Sequence, residues 1–177
     1  MKREDEADFE AFVEASGHRL LRTAYLLVGD LHAAEDLLQT ALERTARRWT
    51  RIAGVPEAYA RTTIANLATD RWRRRRARPP EVFIDPPEGI DADFATDVVV
   101  RDALIRALNQ LTRRQRAVLV LRYFDDLTEP ETAAALGISV GTVKSSASRA
   151  LERLREIVAV QDLPTLHALP RTKEKVR

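Results

Sequence analysis

The stretch Leu127–Leu154, LTEPETAAALGISVGTVKSSASRALERL, predicts two helices joined by a tight turn. Thr128 and Glu131 have the spacing of a capping box, in which each side chain bonds a backbone N–H of the other residue. Gly137 follows a short alanine-rich helix, at the position where a left-handed residue commonly ends a helix. These signals predict a helix-turn-helix.

The second helix of this stretch has two unlike faces. Ser139 can cap it, and Ile138 and Val143 flank that cap at the spacing of a hydrophobic staple. The apolar face, which we expect to be buried, carries Val140, Val143, Ala147, Ala150, Leu151 and Leu154. The outer face is small and basic, and its candidate DNA contacts are Thr142, Lys144, Ser145, Ser148 and Arg149.

The residues of the outer face favour contact with a DNA groove over simple exposure to solvent. Small residues let a helix approach bases closely, and Lys, Arg and Ser side chains can bond base edges or phosphates. The alternative is an ordinary helical hairpin with a solvated face. We favour DNA binding, because the caps, the turn glycine and the outer face all agree.

Composition excludes several classes of protein. The 177 residues are 45% hydrophobic and 32% charged, with a net charge of +2, which indicates globular domains without proving nucleic-acid binding. There is no cysteine, and the three histidines are scattered, so we expect no metal and no cofactor. We find no signal sequence and no membrane-length apolar run, and therefore expect a cytoplasmic protein without a membrane or small-molecule partner.

The N-terminal part predicts three helices. Apolar residues recur at helical spacing from Asp8 to Gly29, with Gly17 as a candidate break. A second helix is predicted over Leu31–Trp49, a loop over Thr50–Val55, and a third helix from Pro56. The mixed acidic and polar face of the second helix is typical of solvent exposure.

The third helix ends in a run of arginines. One or two arginines would satisfy the helix dipole, whereas six in eight residues make a strong positive field suited to phosphates. They are Arg71, Arg73, Arg74, Arg75, Arg76 and Arg78.

The chain then changes in character. Residues 79–98 hold four prolines, six acidic residues and no basic one, which predicts an extended linker between two helical domains. Helices are predicted again over Asp97–Leu111 and from Thr112 to Phe124, the latter opened by a second capping box and decorated by Arg113, Arg114, Arg116 and Arg122. The last residues read as a flexible tail, and no segment predicts a strand.

Taken together, the chain resembles an RNA polymerase sigma factor of the extracytoplasmic-function (ECF) group, in the actinobacterial SigE-like branch. Two stretches carry the resemblance: AEDLLQTALERTARRW (Ala34–Trp49) with PEAYARTTIANLATDRWRRRR (Pro56–Arg76), and LNQLTRRQRAVLVLRYFDDLTEPETAAALGISVGTVKSSASRALERLR (Leu108–Arg155). Parts of the second stretch also occur in response-regulator output domains, whereas the first makes the resemblance specific.

The resemblance implies an all-α chain of two small helical domains. Sigma region 2 would occupy 8–78, an acidic Pro-rich linker 79–97, sigma region 4 with its helix-turn-helix 98–160, and a disordered tail 161–177. Region 2 would bind the polymerase clamp and open the minus-ten element. Region 4 would read the minus-35 element as duplex, and the linker would thread the active-site cleft and RNA exit channel.

The resemblance also assigns residues. Asp36 and Gln39 match the family's DLxQE clamp pattern with Glu35 beside them, while Thr40 stands where Glu is usual. The candidate minus-ten contacts are Arg51, Arg61, Asn66 and Asp70, with Arg71, Arg73, Arg74 and Arg75 on phosphates. Around the minus-35 reading helix, Arg113, Arg114 and Thr128 are candidate backbone contacts.

The implied partners are core RNA polymerase, promoter DNA and, as for many members of the group, an anti-sigma factor. The competing hypothesis is a stand-alone helix-turn-helix regulator, which would bind duplex DNA without polymerase, normally as a dimer. We find no Gly-rich phosphate loop, HExxH motif or histidine-organised nucleophile, so an enzyme is not expected.

Overall fold

A computed structural model describes residues 3–75 and 98–161 of the chain. No described residue lies in a strand, and the predicted all-α class is confirmed. The predicted linker and most of the predicted tail, with Arg76 and Arg78, lie outside the described residues. The α-helices are α1 Arg3–Val28, α2 Leu31–Arg48, α3 Pro56–Arg75, α4 Val98–Asn109, α5 Arg113–Leu119, α6 Glu129–Leu136 and α7 Val140–Gln161.

Helices α1, α2 and α3 pack together as an N-terminal bundle. Asp30 caps α2, because its carboxylate accepts a hydrogen bond from the backbone N–H of Ala33 at 2.8 Å. The candidate break at Gly17 is wrong, since α1 runs through that residue without interruption. Nothing crowds Gly17, and the apolar residues on both sides of it keep the helical period, so burial outweighs the small cost of glycine.

The end of α2 is held by a group of aromatic rings. Trp49 leaves the α-helix and begins a 3-10 turn, Trp49–Arg51, where the sequence predicted the helix to include Trp49 and a loop to follow. Its ring meets Phe9 edge-on at 5.2 Å and Phe12 at 5.3 Å between centroids. The start of α1 therefore fixes the turn that leads from α2 to α3.

The C-terminal half follows the capping signals of its sequence closely. Both capping boxes form, at Thr112 and at Thr128. Gly137 has φ 62°, the left-handed conformation that lets α6 end and the chain reverse without strain on a side chain. The backbone N–H of Thr142 donates to Ser139 Oγ at 3.1 Å, which confirms the predicted cap of α7.

Three details of this half differ from the sequence-based expectation. The helix after Thr112 widens into a π-helical turn, Val120–Phe124, and Asp126 then takes a positive φ of 53°. Arg116, predicted to decorate this helix with Arg113, Arg114 and Arg122, is buried at 8% exposure. Val140, expected on the buried face, is 36% exposed, because the first turn of α7 projects beyond the core that receives Val143.

The two halves pack against each other. Leu27 and Ile64 of the N-terminal bundle lie in one buried apolar cluster with Leu108 and Leu119 of the C-terminal half. The joining contacts run from α1 to the π turn and from α3 to α6. Sequence periodicity predicts each buried face but not which of these faces meet, because pairing across a linker is non-local.

Candidate nucleic-acid and partner surfaces

The outer face of α7 is open to solvent. Val143, Ala150 and Leu154 are buried beneath it, as their spacing predicted. Lys144 Nζ lies 3.6 Å from a carboxylate oxygen of Glu129 on α6, and both side chains remain partly exposed. Among the residues predicted to read DNA, Thr142 is partly buried, and the exposed ones are Lys144, Ser145, Ser148 and Arg149.

The N-terminus of α6 is already occupied by its own capping box. Thr128 donates its backbone N–H and its hydroxyl to one carboxylate oxygen of Glu131, at 2.7 and 2.6 Å. The hydroxyl of Thr128 thereby holds the pKa of Glu131 below its usual value. A phosphate at this helix end would meet that carboxylate, so contact by Thr128 itself stays a prediction.

Arg113 and Arg114 are both exposed at the start of α5. Arg113 donates to the backbone carbonyl of Trp72, so it joins the C-terminal half to α3 in this arrangement. Arg114 lies beside it. The two neighbours are therefore not equivalent, since a phosphate contact by Arg113 would require it to leave Trp72.

A cleft lies where α2, the 3-10 turn and α3 meet. It consists of two adjoining depressions that share Arg48, Tyr59 and Thr62. Arg51 and Asn66, both predicted minus-ten contacts, line it from either side. The remaining lining residues are Arg44, Arg47, Ile52, Ala53, Val55, Ala58 and Thr63. No carboxylate is among these lining residues, so the cleft carries net positive charge.

Arg51 is among the predicted minus-ten contacts, whereas the other three arginines of this cleft are not, although their spacing carries a signal. Arg44, Arg47, Arg48 and Arg51 recur at steps of three and four, which is the spacing of one helical face. Acidic neighbours on α2 favoured the interpretation of a solvated face. Only one of the four, Arg47, has an ion pair with such a neighbour, at 3.8 Å from Glu43.

The cleft has the chemistry needed to bind an extended nucleic-acid strand. Its arginines can hold phosphates, and Tyr59 offers a partly buried ring on which a base could stack. Val55, at 67% exposure, places an apolar side chain at the rim, where an unstacked base would pass. Duplex DNA would present its bases stacked and inward, so the cleft suits a separated strand better.

Arg61 lies on another face of α3, away from the cleft. It pairs with Glu57 at 2.7 Å, and its side chain is only 16% exposed. Asp70 is exposed and Arg71 is partly buried, while Arg73, Arg74 and Arg75 continue the same helix toward its end. The geometry therefore brings Arg51 and Asn66 together and leaves Arg61 out of that group.

The residues predicted to meet the polymerase lie on α2. Glu35, Asp36 and Gln39 are all exposed, within little more than one helical turn. Thr40 donates its hydroxyl to the Asp36 carbonyl at 2.8 Å, so it presents a methyl group where a Glu carboxylate would otherwise reach out. His32 lies 3.6 Å from Glu35.

Two further functions find no support in the described part of the chain. No group of three or more His, Asp or Glu side chains in residues 3–75 and 98–161 is placed to hold a metal ion. Within the same residues, no helix is long and apolar enough to cross a membrane.

Both halves of the chain match known protein families. The chain matches the family model of sigma-70 region 2 over residues 12–78 and that of sigma-70 region 4 over residues 101–154. It is 42% identical over 158 residues to the RNA polymerase sigma-E factor of Streptomyces avermitilis, covering 88% of each chain. It is also 42% identical to the sigma-E factor of Streptomyces coelicolor, covering 88% of this chain and 89% of that one.

A solved structure extends the likeness to three dimensions. The sigma factor RpoE of Bartonella quintana, crystallised with the anti-sigma factor NepR, superposes with a TM-score of 0.69 at 26% identity. The match covers 86% of this chain and 98% of RpoE. The outward face of α7 and the arginine cleft of α3 thus lie in the two regions that define these proteins, and the chain belongs to the extracytoplasmic-function group of RNA polymerase sigma factors.

Proposed function

We propose that this sigma factor divides promoter recognition between two surfaces that bind DNA in different states. α7 reads the minus-35 element as duplex, and the cleft between α2 and α3 captures an unpaired strand of the minus-ten element. The observation that carries the proposal is the contrast in shape: one surface is a convex helix with small side chains, and the other is a concave arginine-lined cleft.

The convex surface fits a major groove. Ser145 and Ser148 are short enough to let the backbone of α7 approach the base edges, and Arg149 can bond a guanine with two donors. Lys144 Nζ lies 3.6 Å from the Glu129 carboxylate of α6, on the side of α7 that faces α6. We assign Arg149 the base contact and Lys144 a phosphate contact, with Arg114 on the adjoining backbone.

The concave surface fits a single strand. Arg48 and Arg51 would hold successive phosphates, Tyr59 would stack on one base, and Asn66 would bond the edge of that base. The end of α3, with Arg71 and the arginines after it, would follow the phosphates beyond the cleft. Arg61 is engaged by Glu57 and has no part in this arrangement.

The exposed acidic face of α2 is the proposed contact with core polymerase. Asp36 and Gln39 are exposed, and the hydroxyl of Thr40 is turned back onto α2. The polymerase supplies the chemistry of RNA synthesis, and the chain itself supplies recognition. The Bartonella RpoE structure contains an anti-sigma factor, and we extend that class of partner to this chain.

A transcription assay tests the proposal. Core polymerase with this chain should produce transcripts from selected promoters that core polymerase alone does not use. The competing function, a stand-alone helix-turn-helix regulator, predicts tight binding of promoter duplex by the isolated chain in a gel-shift assay. Strong duplex binding without polymerase, together with no promoter-dependent transcripts, would favour that competitor.

A further inference from the structure

Three aromatic side chains, Phe9, Phe12 and Trp49, form an aromatic cluster that is part of neither proposed DNA surface. The ring of Phe9 on α1 meets the ring of Trp49 edge-on, with 5.2 Å between the centroids. Phe12, about one turn further along α1, lies 5.3 Å from the same ring at an angle of 46°. Aromatic pairs at these separations attract each other beyond the effect of their buried area. The cluster therefore ties the start of α1 to the end of α2.

Trp49 is the side chain that holds the 3-10 turn Trp49–Arg51 against the bundle. None of the three residues of the turn is fully buried, but Trp49 is half-buried, whereas Thr50 and Arg51 are exposed. The Ile52 N–H donates to the Trp49 carbonyl at 3.4 Å, which is long for a backbone hydrogen bond. Because a single 3-10 turn has little stability of its own, the packing of this one ring on α1 fixes where the turn lies.

The same turn carries two arginines of the cleft on another side. Side chains three residues apart point the same way in a 3-10 turn, and Arg48 and Arg51 have that spacing. Both of them line the cleft. Trp49, one residue after Arg48, points instead toward the two phenylalanines of α1. The aromatic cluster and the arginines thus occupy two sides of one turn.

The loop that follows the turn is also part of the cleft. It leads from the end of the turn to Pro56, the first residue of α3. Three of its four residues line the cleft, namely Ile52, Ala53 and Val55. A displacement of Trp49 would therefore move Arg51 and the start of this loop together.

We propose that Phe9 and Phe12 are positioning residues for strand capture, and that they act through Trp49 on Arg51. They do not touch the strand; they hold the turn so that the guanidinium of Arg51 stands where a phosphate passes. An arginine placed in advance loses less conformational entropy when the strand binds, which strengthens binding without a new contact. The first turns of α1 thereby contribute to recognition of the minus-ten element. This inference rests on the function proposed for the cleft.

Amide hydrogen exchange tests the packing of the turn without DNA. Phe9→Ala removes the edge-on ring, and should speed exchange in peptides that cover Trp49–Arg51 by about tenfold or more. Leu21→Ala is the matched control, because Leu21 is also a half-buried apolar residue of α1 that packs on the bundle core, about three turns further along the helix. Exchange of the turn should be unchanged in that control. A wild-type exchange rate in Phe9→Ala would overturn the proposal.

A double-mutant cycle tests whether Trp49 acts through Arg51. Holoenzyme made with each variant is titrated with a single-stranded oligonucleotide that covers the minus-ten element of a promoter it transcribes, so that no melting is needed. Trp49→Leu and Arg51→Ala should each weaken binding roughly tenfold, as expected for one lost charged contact. The double variant should bind little more weakly than either single variant. Additive losses, about a hundredfold in the double variant, would show that Trp49 does not act through Arg51.

The salt dependence of the same titration separates positioning from a general loss of stability. Trp49→Leu should lower the log–log slope by about 0.7, the share of one phosphate contact to a single strand. Trp49→Phe keeps an aromatic ring against α1, and should retain most of the affinity and the full slope. An unchanged slope in Trp49→Leu would contradict the positioning role.

The single variants also distinguish failure of this inference from failure of the proposed function. If Arg51→Ala binds the strand as tightly as the wild-type chain, the function proposed for the cleft fails and the positioning role fails with it. If Arg51→Ala weakens binding while Trp49→Leu does not, the function of the cleft stands and the positioning role alone is overturned.

Discussion

The outward face of α7 and the cleft between α2 and α3 are both candidate DNA surfaces, yet they differ in shape and in the residues that form them. α7 presents serines with one lysine and one arginine on a rigid convex helix. The cleft gathers Arg44, Arg47, Arg48 and Arg51 around a tyrosine ring in a concavity. Because a duplex has a groove of fixed shape, a convex helix with short side chains can read it. A separated strand has no fixed shape, so charge and stacking must hold it.

The largest effect should come from the charge of the cleft. Arg48→Ala with Arg51→Ala removes two charged contacts to the strand, and should destabilise the melted complex by about 3 kcal/mol or more. The salt dependence of binding should weaken by about 1.4 units of log–log slope, since each phosphate contact to a single strand contributes about 0.7. Open complexes measured by permanganate reactivity of minus-ten thymines, at several salt concentrations, give both quantities.

The matched control for the cleft is Arg153→Ala with Arg155→Ala. These arginines are exposed near the end of α7, and removing them changes net charge by the same amount. If this control lowers the number of open complexes as much as the cleft variant does, general charge rather than the cleft is responsible.

Arg149→Ala should have the next largest effect, on the duplex surface. Loss of a base contact should reduce discrimination between correct and altered minus-35 sequences by roughly 1–3 kcal/mol. Melting at the minus-ten element should be unchanged once the complex has formed. Competition binding of holoenzyme to paired promoters measures the discrimination. A uniform loss on every promoter would instead place Arg149 on a phosphate.

Both DNA surfaces should stay intact when the acidic face of α2 is neutralised. Asp36→Asn with Gln39→Ala should weaken binding to core polymerase by about 1 kcal/mol, because both side chains are solvent-exposed. Helical content and thermal stability should be unchanged. Titration of labelled protein with core polymerase measures the affinity, and an unchanged value would remove these residues from the interface.

The smallest effect concerns the ion pair between Arg19 of α1 and Glu57 of α3. Hydrogen bonds from Arg19 hold the pKa of Glu57 below its usual value, so the ionised form stabilises the fold. That stabilisation is present above the unfolded pKa of about 4.3 and is lost as pH falls through the lower folded pKa. Glu57→Gln should therefore lower the free energy of unfolding by less than about 1 kcal/mol near neutral pH.

The pH dependence of the Glu57→Gln effect on unfolding distinguishes loss of the carboxylate charge from a packing defect. The difference from the wild-type chain should shrink as pH falls below the unfolded pKa of about 4.3, and should disappear below the lower folded pKa, where Glu57 is protonated in both states. Urea unfolding at a series of pH values measures it. A difference that persists unchanged in acid would show that the carboxylate charge is not the cause.

The sequence predicts the structure where neighbours along the chain decide it. Thr128 with Glu131, Gly137 and the cap at Ser139 act within four residues, so their geometry follows from local spacing. The open face of α7 follows from the same periodicity. The clamp pattern at Asp36 and Gln39 came from the family resemblance, and its residues are exposed as that role requires.

The sequence does not predict contacts between distant segments. Arg116 looked like one of several surface arginines, because nothing near it indicates that carbonyls of two helix ends would surround it. Arg61 looked available for DNA, but Glu57 and Asp125 engage it across the fold. Acidic residues flank the arginine face of α2 and favour a solvated face in the sequence, whereas the concavity beside α3 forms only in the fold.

The division between duplex reading and strand capture is tested most directly by mapping one promoter complex at base resolution. Holoenzyme containing this chain should make minus-ten thymines reactive to permanganate, while the minus-35 element stays double-stranded and protected by α7. At saturating protein, Arg48→Ala with Arg51→Ala should abolish the minus-ten reactivity and keep the minus-35 protection, and Arg149→Ala should weaken the minus-35 protection and keep the minus-ten reactivity. Loss of both signals together in either variant would contradict two separate surfaces.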